Sequence, residues 1–286
     1  MPKPTRPFTS IVEVFPPNFS ADKTKEPMIG LRQKTRDFVE RVKRLQQIAD
    51  AILVADVKDT GRLKLSTVHS AALLKEMSGV DAIPVITARD SNRPAVLSSV
   101  VTAFSMGLTS LMIVWGDRYG TGEGAKNVYD FASVSELLGQ VRDLSVRSNL
   151  KCRLLAPVDL SILRTERGLR LAKDRLKSGA DLLLAQPPTT DAETTLPKHA
   201  RLLTGAGLDG RVLLNVFPFR DEADVEGCRK KFGWDLPPRL DRIAREGERA
   251  LLKEARGVAA GVRGRGLAGV YVSTRGKPEH ARFILD

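Results

Sequence analysis

The chain has 286 residues and carries 46 Lys and Arg against 34 Asp and Glu, a formal net charge of +12. Basic and acidic residues are interleaved along predicted helix faces and aromatic residues make up only 5%, which disfavours a nucleic-acid binder that stacks bases. The longest apolar runs, 51–55 and 111–115, have strand length, and residues 1–10 contain no apolar signal segment. We therefore expect a cytoplasmic protein without a membrane span.

Short apolar runs alternate with amphipathic segments from end to end. Eight strands are predicted, at 10–15, 50–55, 81–87, 110–115, 152–157, 181–186, 211–217 and 269–273. Helices are predicted between them, at 34–49, 67–77, 93–106, 133–146, 166–178, 192–204, 221–232 and 238–260, and a short one follows the last strand. Ser66 and Thr67 are the candidate caps of the helix that ends near 77, and Ser133 is the predicted cap of the helix that ends at 146.

The predicted strands are rich in Val, Ile and Leu rather than alternating, as is typical of a parallel sheet buried on both faces. An open dinucleotide-binding sheet would place GxGxxG after the first strand, whereas Pro16 and Pro17 stand there. The sequence therefore predicts a single (β/α)8 barrel domain over residues 1–286, with residues 1–9 as an N-terminal extension.

Active sites of such barrels lie at the carboxyl ends of the strands, so polar residues there are the candidate site residues. They are Glu13, Asp56, Thr87, Arg89, Asp90, Asp117, Asp159, Gln186, Asn215, Arg220, Arg275 and Lys277. His69, His199 and His280 fall on predicted helices instead, so neither a metal centre nor a catalytic triad is predicted.

Glu13 stands inside an apolar strand. Burial disfavours an ionised carboxylate and should raise its pKa, which suits a general acid working near neutral pH. An edge position or a structural ion pair would explain the same residue.

Two further strand ends are candidates for ligand contact. Gly116 allows close backbone approach beside Asp117, although Asp117 could equally be a turn residue opening the loop 118–124, which includes a glycine-rich stretch at 121–124. The Gln186 amide can both donate to and accept from a planar heterocycle, or it could instead satisfy loop backbone.

Several segments in order resemble methylenetetrahydrofolate reductases. They are the opening strand 12–17 (VEVFPP), the third strand 83–87 (IPVIT), the segment 107–117 ending in Gly-Asp, residues 131–133 (FAS), and 179–181 (GAD) followed by Gln186. The resemblance extends over roughly residues 10–275.

This resemblance implies an eight-stranded α/β barrel that carries FAD, takes hydride from NAD(P)H and reduces a methylene group on a pterin carrier to methyl. Glu13 would protonate the N10 side of the pterin, Asp117 would lie between flavin and pterin, Gln186 would bind the pterin ring and Lys277 the glutamate tail. The cofactor-binding positions that it implies are Thr87, Gly116, Asp117, Ala132 and Arg175.

Some family positions differ in this sequence. Val85 stands where the family commonly has a flavin-contacting His, and residues 156–159 (APVD) replace an aromatic-Pro-Glu-x-His pattern. Gly168 and Arg175 stand where the family has an Asp and a Lys that bind FAD. We therefore predict a divergent member that binds flavin weakly or passes hydride directly from nicotinamide to pterin.

Two other classes remain open at this stage. A pterin-binding barrel without reductase activity, acting in methyl transfer, would keep Glu13 and Gln186 for recognition. A nucleic-acid-binding barrel is suggested only by the net charge. The sequence is compatible with either folate or a methanopterin-like carrier, with NADH or NADPH, and with a homo-oligomer or a partner subunit.

Overall fold

The computed structural model describes residues 8–20, 28–56, 62–120, 123 and 125–286. Its strands are β1 (Thr9–Val14), β2 (Asn18–Ser20), β3 (Ala51–Val54), β4 (Arg62–Lys64), β5 (Ala82–Thr87), β6 (Ser110–Val114), β7 (Arg153–Asp159), β8 (Leu182–Gln186), β9 (Val212–Val216) and β10 (Gly269–Ser273). Its helices are α1 (Met28–Lys43), α2 (Thr67–Ser78), α3 (Arg93–Ser105), α4 (Val134–Arg147), α5 (Glu166–Lys177), α6 (Thr195–Ala206), α7 (Glu222–Phe232), α8 (Pro238–Arg245), α9 (Glu248–Gly264) and α10 (Pro278–Leu285).

Eight strands form a closed barrel in the order β1-β10-β9-β8-β7-β6-β5-β3. Parallel registers include Thr87 opposite Val114 between β5 and β6, and Val270 opposite Leu214 between β10 and β9. The predicted (β/α)8 barrel is therefore confirmed. The prediction that residues 1–286 form one domain with an extension at 1–9 stays a prediction, and Thr9 already belongs to β1.

Burial and capping explain why these segments fold as they do. Every residue of β3, β9 and β10 is buried, in agreement with the apolar runs that predicted them. The Ser66 side chain accepts a hydrogen bond from the backbone N–H of His69 at the start of α2, and that of Ser133 accepts one from Glu136 at the start of α4. Of the two candidates for the first cap, Ser66 is the N-cap and Thr67 is the first residue of α2, and Ser133 is the N-cap of α4 as predicted. Each cap satisfies an N–H group that the helix itself leaves unpaired.

Two sequence predictions differ from the structure, and one short pair of strands has no counterpart among the predictions. The first helix covers Met28–Lys43 rather than 34–49, and its predicted last turn is a series of turns instead. The helix predicted at 238–260 is two helices, α8 and α9, because Gly247 has φ of +94° and interrupts the helical backbone. A short antiparallel pair, β2 with β4, was not predicted.

Contacts along the chain define two compact units. The amino-terminal unit comprises Glu13–Ala156 and Lys173–Asp181. The carboxy-terminal unit comprises Met1–Val12, Pro157–Ala172 and Leu182–Asp286.

Within the carboxy-terminal unit, three helices connect β9 to β10. They carry an apolar cluster of their own, made of Phe219, Val225, Cys228, Leu236, Leu240, Ala244 and Leu251. Phe217, Trp234 and Ile243 pack against this cluster while remaining partly exposed.

Candidate active site

Glu13 lies in β1 and is half-buried, while Val12 and Val14 beside it are buried. The backbone N–H of Ala55 donates to the carbonyl oxygen of Val14 at 2.9 Å, which joins the carboxyl end of β1 to that of β3. Asp56 follows directly. Two carboxylates therefore lie at the ends of neighbouring strands.

Asp56 is held by two side chains. The Thr87 hydroxyl, at the end of β5, donates to Asp56 Oδ2, and Lys64 Nζ pairs with Asp56 Oδ1. The Asp56 side chain is only 14% exposed, so these partners compensate a mostly buried charge. Thr87, which the resemblance implies as a cofactor contact, uses its hydroxyl to hold Asp56.

Arg89 is a buried cation, 3% exposed. Its Nε donates to Asp90 Oδ2 at 2.9 Å, its Nη1 donates to the carbonyl oxygen of Asp117 at 2.6 Å, and its guanidinium lies over the Tyr119 ring at 4.7 Å. Burial alone would lower the pKa of Arg89, but the hydrogen bond and charge of Asp90 raise it above the ordinary value. We call Asp56, Lys64, Thr87, Arg89 and Asp90 the charged cluster.

The Gly116–Asp117 turn is fixed on both sides. Gly116 has φ of +83°, and a Cβ there would lie 2.5 Å from Thr87 Cγ2 and 2.9 Å from Arg89 Cβ, so only glycine fits. Its carbonyl oxygen accepts from the Tyr129 hydroxyl at 3.1 Å. The Asp117 side chain is exposed, so a rigid backbone presents a carboxylate to solvent.

Two of the cofactor positions implied by the resemblance have local roles. The backbone N–H of Ala132 donates to Glu136 Oε2 at 2.6 Å just before α4. That hydrogen bond, followed by one from Arg93, lowers the pKa of Glu136. Arg175 lies in the last turn of α5, and its carbonyl oxygen accepts from Ala180 shortly before β8 begins.

The carboxy-terminal unit has a different set of groups at its strand ends. In the register of β9 and β10, Asn215 lies opposite Tyr271. Leu184 of β8 lies opposite Leu213 of β9, which places Gln186 opposite Asn215 two residues later. Gln186 Nε2 donates to the Tyr271 hydroxyl at 3.0 Å. We call Gln186, Asn215 and Tyr271 the amide row.

The segment after Gln186 is anchored by buried polar residues. Asp191 is fully buried and accepts hydrogen bonds from the backbone and side chain of Thr194 and from the backbone of Thr195. Burial would raise the pKa of Asp191, but these hydrogen bonds outweigh it and hold the pKa below its ordinary value. Thr189 Oγ1 is hydrogen-bonded to Nδ1 of the buried His199 at 2.9 Å, and burial lowers the pKa of His199 to about 4.

Beyond β10, two cations face acidic partners. Arg275 pairs with Asp224 and lies over the Phe217 ring at 4.9 Å. Lys277, which the resemblance implies as a contact for the glutamate tail, pairs with Glu248 at 2.7 Å.

Tyr271 and Tyr129 are missing from the sequence-derived set, although both contact a strand end that is in it. Tyr271 stands within an apolar strand, where a hydroxyl needs a buried partner, and that signal could have added it. The loop residues Thr121, Gly122 and Gly124 lie outside the described residues.

A family model described as methylenetetrahydrofolate reductase matches residues 7–260. The chain belongs to the methylenetetrahydrofolate reductase family. The resemblance seen in the sequence is thereby confirmed. No curated protein matches the chain in sequence.

Solved structures share the barrel fold of this family member. A protein from Clostridium thermocellum that binds two copies of 5-methyl-5,6,7,8-tetrahydrofolic acid has 11% identity and a TM-score of 0.62, with coverage of 97% of this chain and 93% of that one. An oxaloacetate acetylhydrolase has 8% identity and a TM-score of 0.51, over 96% of this chain and 77% of that one. A 2,3-dimethylmalate lyase has 10% identity and a TM-score of 0.50, over 93% and 75%.

In the described part of this methylenetetrahydrofolate reductase family chain, no helix has both the length and the apolar character that a membrane crossing requires. Its cytoplasmic location and its oligomeric state stay predictions.

Proposed function

We propose that the protein reduces a methylene-pterin to the methyl-pterin with hydride from NAD(P)H. The observation that carries this proposal is Glu13, a half-buried carboxylate in an otherwise buried part of β1, in a chain of the methylenetetrahydrofolate reductase family. The Clostridium thermocellum protein of similar fold, which binds the methylated folate, supports a reduced pterin as the ligand.

In the proposed reaction, Glu13 transfers a proton to N10 as the bond between N10 and the methylene carbon breaks. The methylene carbon then forms an iminium cation with N5, and hydride from the nicotinamide adds to that carbon. The products are the methyl-pterin and NAD(P)+, and Glu13 regains its proton from solvent. General acid catalysis of this kind contributes roughly 10²- to 10⁴-fold in rate.

Asp117 is proposed to stabilise the positive charge of the iminium cation. A fixed carboxylate stabilises developing charge better than a mobile one, because it needs no reorganisation at the moment of reaction. Arg89 and Tyr129 hold the backbone on either side of Asp117, which supports this role. Gln186 is proposed to bind the pterin ring and Lys277 the glutamate tail.

We further propose that hydride passes directly to the pterin, because the residues at the implied flavin positions fit FAD poorly. At Gly168, a Cβ would run into the backbone of Ile162 and Leu163, so this position has no room for the acidic side chain that the family uses. Val85 is buried and offers no hydrogen bond where the family has His. Asp159, in the strand that carries the altered pattern, binds Ser161 of its own loop instead.

The experiment combines an absorbance spectrum of the purified protein with NAD(P)H oxidation in the presence of a methylene-pterin. Wild type should show no flavin bands and should oxidise NAD(P)H only when the pterin is present. Glu13→Gln should lose about 10²- to 10⁴-fold in kcat while retaining pterin binding. Glu76→Gln, an exposed position on α2, is the matched control and should retain full activity.

Stoichiometric FAD in the purified protein would overturn the direct transfer of hydride. An active Glu13→Gln variant would overturn the role of Glu13. Pterin binding without any NAD(P)H oxidation would replace the reductase with a pterin-binding subunit in methyl transfer.

A further inference from the structure

The amide row contains polar atoms that the protein itself does not satisfy. Within the described chain, Asn215 Oδ1, Asn215 Nδ2 and Gln186 Oε1 are shielded from solvent and have no hydrogen-bond partner. Across the described residues, five buried side-chain polar atoms lack a partner, and three of them lie here. Such atoms are rare in native proteins because each loses its hydrogen bonds to water without replacement.

The position of these atoms points to a bound molecule. Asn215 is 1% exposed, so bulk water does not reach its amide. Gln186 is half-buried at the end of β8 and is therefore the member of the row through which a ligand would approach. Gln186 makes one described side-chain hydrogen bond, to Tyr271, and an incoming ring that replaces this bond would come beside Gln186 Oε1, with Asn215 on the neighbouring strand.

The chemistry of the row selects the kind of ligand. Each amide offers a carbonyl oxygen that accepts and an NH2 group that donates. Neither Gln186 nor Asn215 carries a charge, so the matching surface is a neutral planar edge with alternating N–H and C=O groups. A 2-amino-4-oxopyrimidine ring, the recognition edge of a pterin, presents such a pattern.

We propose that Asn215 determines ligand specificity, and that with Gln186 it forms a pair of amides that binds the lactam edge of the pterin ring. This inference rests on the proposed function, since it assigns the ring that the reductase would bind. It adds a second amide to the one that the family resemblance assigned, and it explains why an asparagine is buried in β9 with both polar atoms unpaired.

The test is calorimetric titration of 5-methyltetrahydrofolate into the full-length protein. Asn215→Leu keeps the number and branching of the heavy atoms and removes both polar atoms, and Asn215→Ala only removes atoms and adds no bulk. Each should weaken binding about ten- to a hundredfold, the range that corresponds to a lost hydrogen-bonding partner. In urea unfolding without ligand, Asn215→Leu should be at least as stable as wild type, because it removes buried groups that have no partner.

The matched control is Ser70→Ala. Ser70 lies on α2, is 1% exposed, and its hydroxyl is also buried without a partner in the described chain. Removing it should leave the affinity for 5-methyltetrahydrofolate unchanged, so that the loss at Asn215 reports the ligand rather than any buried polar atom.

Wild-type affinity in both Asn215 variants would overturn the inference, as would failure of both to fold, since the amide would then serve the fold. Absence of binding by the wild type would overturn the inference together with pterin binding itself. Binding that depends on Asn215 without NAD(P)H oxidation would overturn only the reductase reaction and would leave the inference in place.

Discussion

The charged cluster of the amino-terminal unit and the amide row of the carboxy-terminal unit differ in how their buried polar groups are paired. In the charged cluster, Asp56 is bonded to Thr87 and Lys64, and Arg89 is bonded to Asp90, so each mostly buried charge has a partner of opposite charge nearer the surface. In the amide row, the groups are neutral, and three buried atoms of Gln186 and Asn215 have no partner within the described chain.

The paired groups of the charged cluster stabilise the fold, whereas the unpaired amides are the groups proposed to bind a ligand. A charged network is stable only when its members are paired, because an unpaired buried charge costs far more than an unpaired amide. An unpaired amide costs less and can be retained for recognition. The comparison therefore predicts that removing a polar group has opposite effects on stability in the two regions.

The largest effect is expected for Arg89→Met. It removes the buried cation and leaves the carbonyl oxygen of Asp117 without this donor, while Asp90 keeps the hydrogen bond from the Tyr119 hydroxyl. Stability should fall by about 3–4 kcal/mol, because two hydrogen bonds of a charged group are lost at about 1.5–3 kcal/mol each. The bond to Asp90 counts at the lower end, since that side chain is 41% exposed and solvent screens its charge. The measurement is the free energy of unfolding in urea for Arg89→Met and for Asn215→Leu, and the Asn215 variant should lose no stability. Arg147→Met, at an exposed pair on α4, should change stability by less than about 1 kcal/mol. Equal losses of stability in the Arg89 and Asn215 variants would contradict the proposed difference between the charged cluster and the amide row.

The next effect concerns His199, the buried histidine that is hydrogen-bonded to Thr189 in the segment that follows Gln186. Because burial lowers the pKa of His199 to about 4 from the ordinary 6.5, the unfolded chain binds a proton between these values that the folded chain does not. The contribution of His199 to stability is therefore present above pH 6.5 and is lost as the pH falls towards 4, by about 3 kcal/mol in total.

The measurement is the difference in unfolding free energy between wild type and His199→Gln from pH 7 to pH 4.5. That difference should shrink steadily as the pH falls. His69→Gln is the control, because it makes the same replacement at an exposed histidine on α2. A constant difference over this range would show that His199 is not held neutral by burial.

The smallest loss of stability is expected for Gly116→Ala, beside the charged cluster. The added Cβ meets Thr87 and Arg89, and the φ of +83° strains an L-residue, so stability should fall by about 2 kcal/mol or more. Gly207→Ala is the matched control, because Gly207 has a φ of +68° but open space around it. It should lose only about 1 kcal/mol, the conformational part alone. Thermal unfolding of the two variants separates close packing from backbone strain, and equal losses would show that packing at Gly116 is loose.

Much of the fold could be predicted from the sequence because the barrel strands are short apolar runs with sharp ends. The last strand was predicted at 269–273 and occurs there as β10. The break between α8 and α9 could not be predicted in this way, because helical periodicity continues on both sides of Gly247. The pair of β2 and β4 was missed because each strand has three residues, too few to show alternation.

The candidate site could be predicted only in part. Strand ends identified Glu13, Asp117, Gln186 and Asn215 one at a time, and their roles in the reaction stay predictions. The unsatisfied state of Asn215 depends on registers across three strands, which no single segment of sequence reveals. The hydrogen bond from Arg89 to the carbonyl oxygen of Asp117 likewise joins two residues that are 28 positions apart in the chain.

The three helices between β9 and β10 have a consequence for the order in which the protein opens. A barrel connection needs one helix, and the extra pair brings its own apolar cluster around Leu240 and Phe219. Segments with a separate small core tend to unfold as cooperative units below the global free energy. Native-state hydrogen exchange should therefore show the amides of α7 and α8 exchanging together, through a partial opening that leaves the protection of β9 and β10 intact.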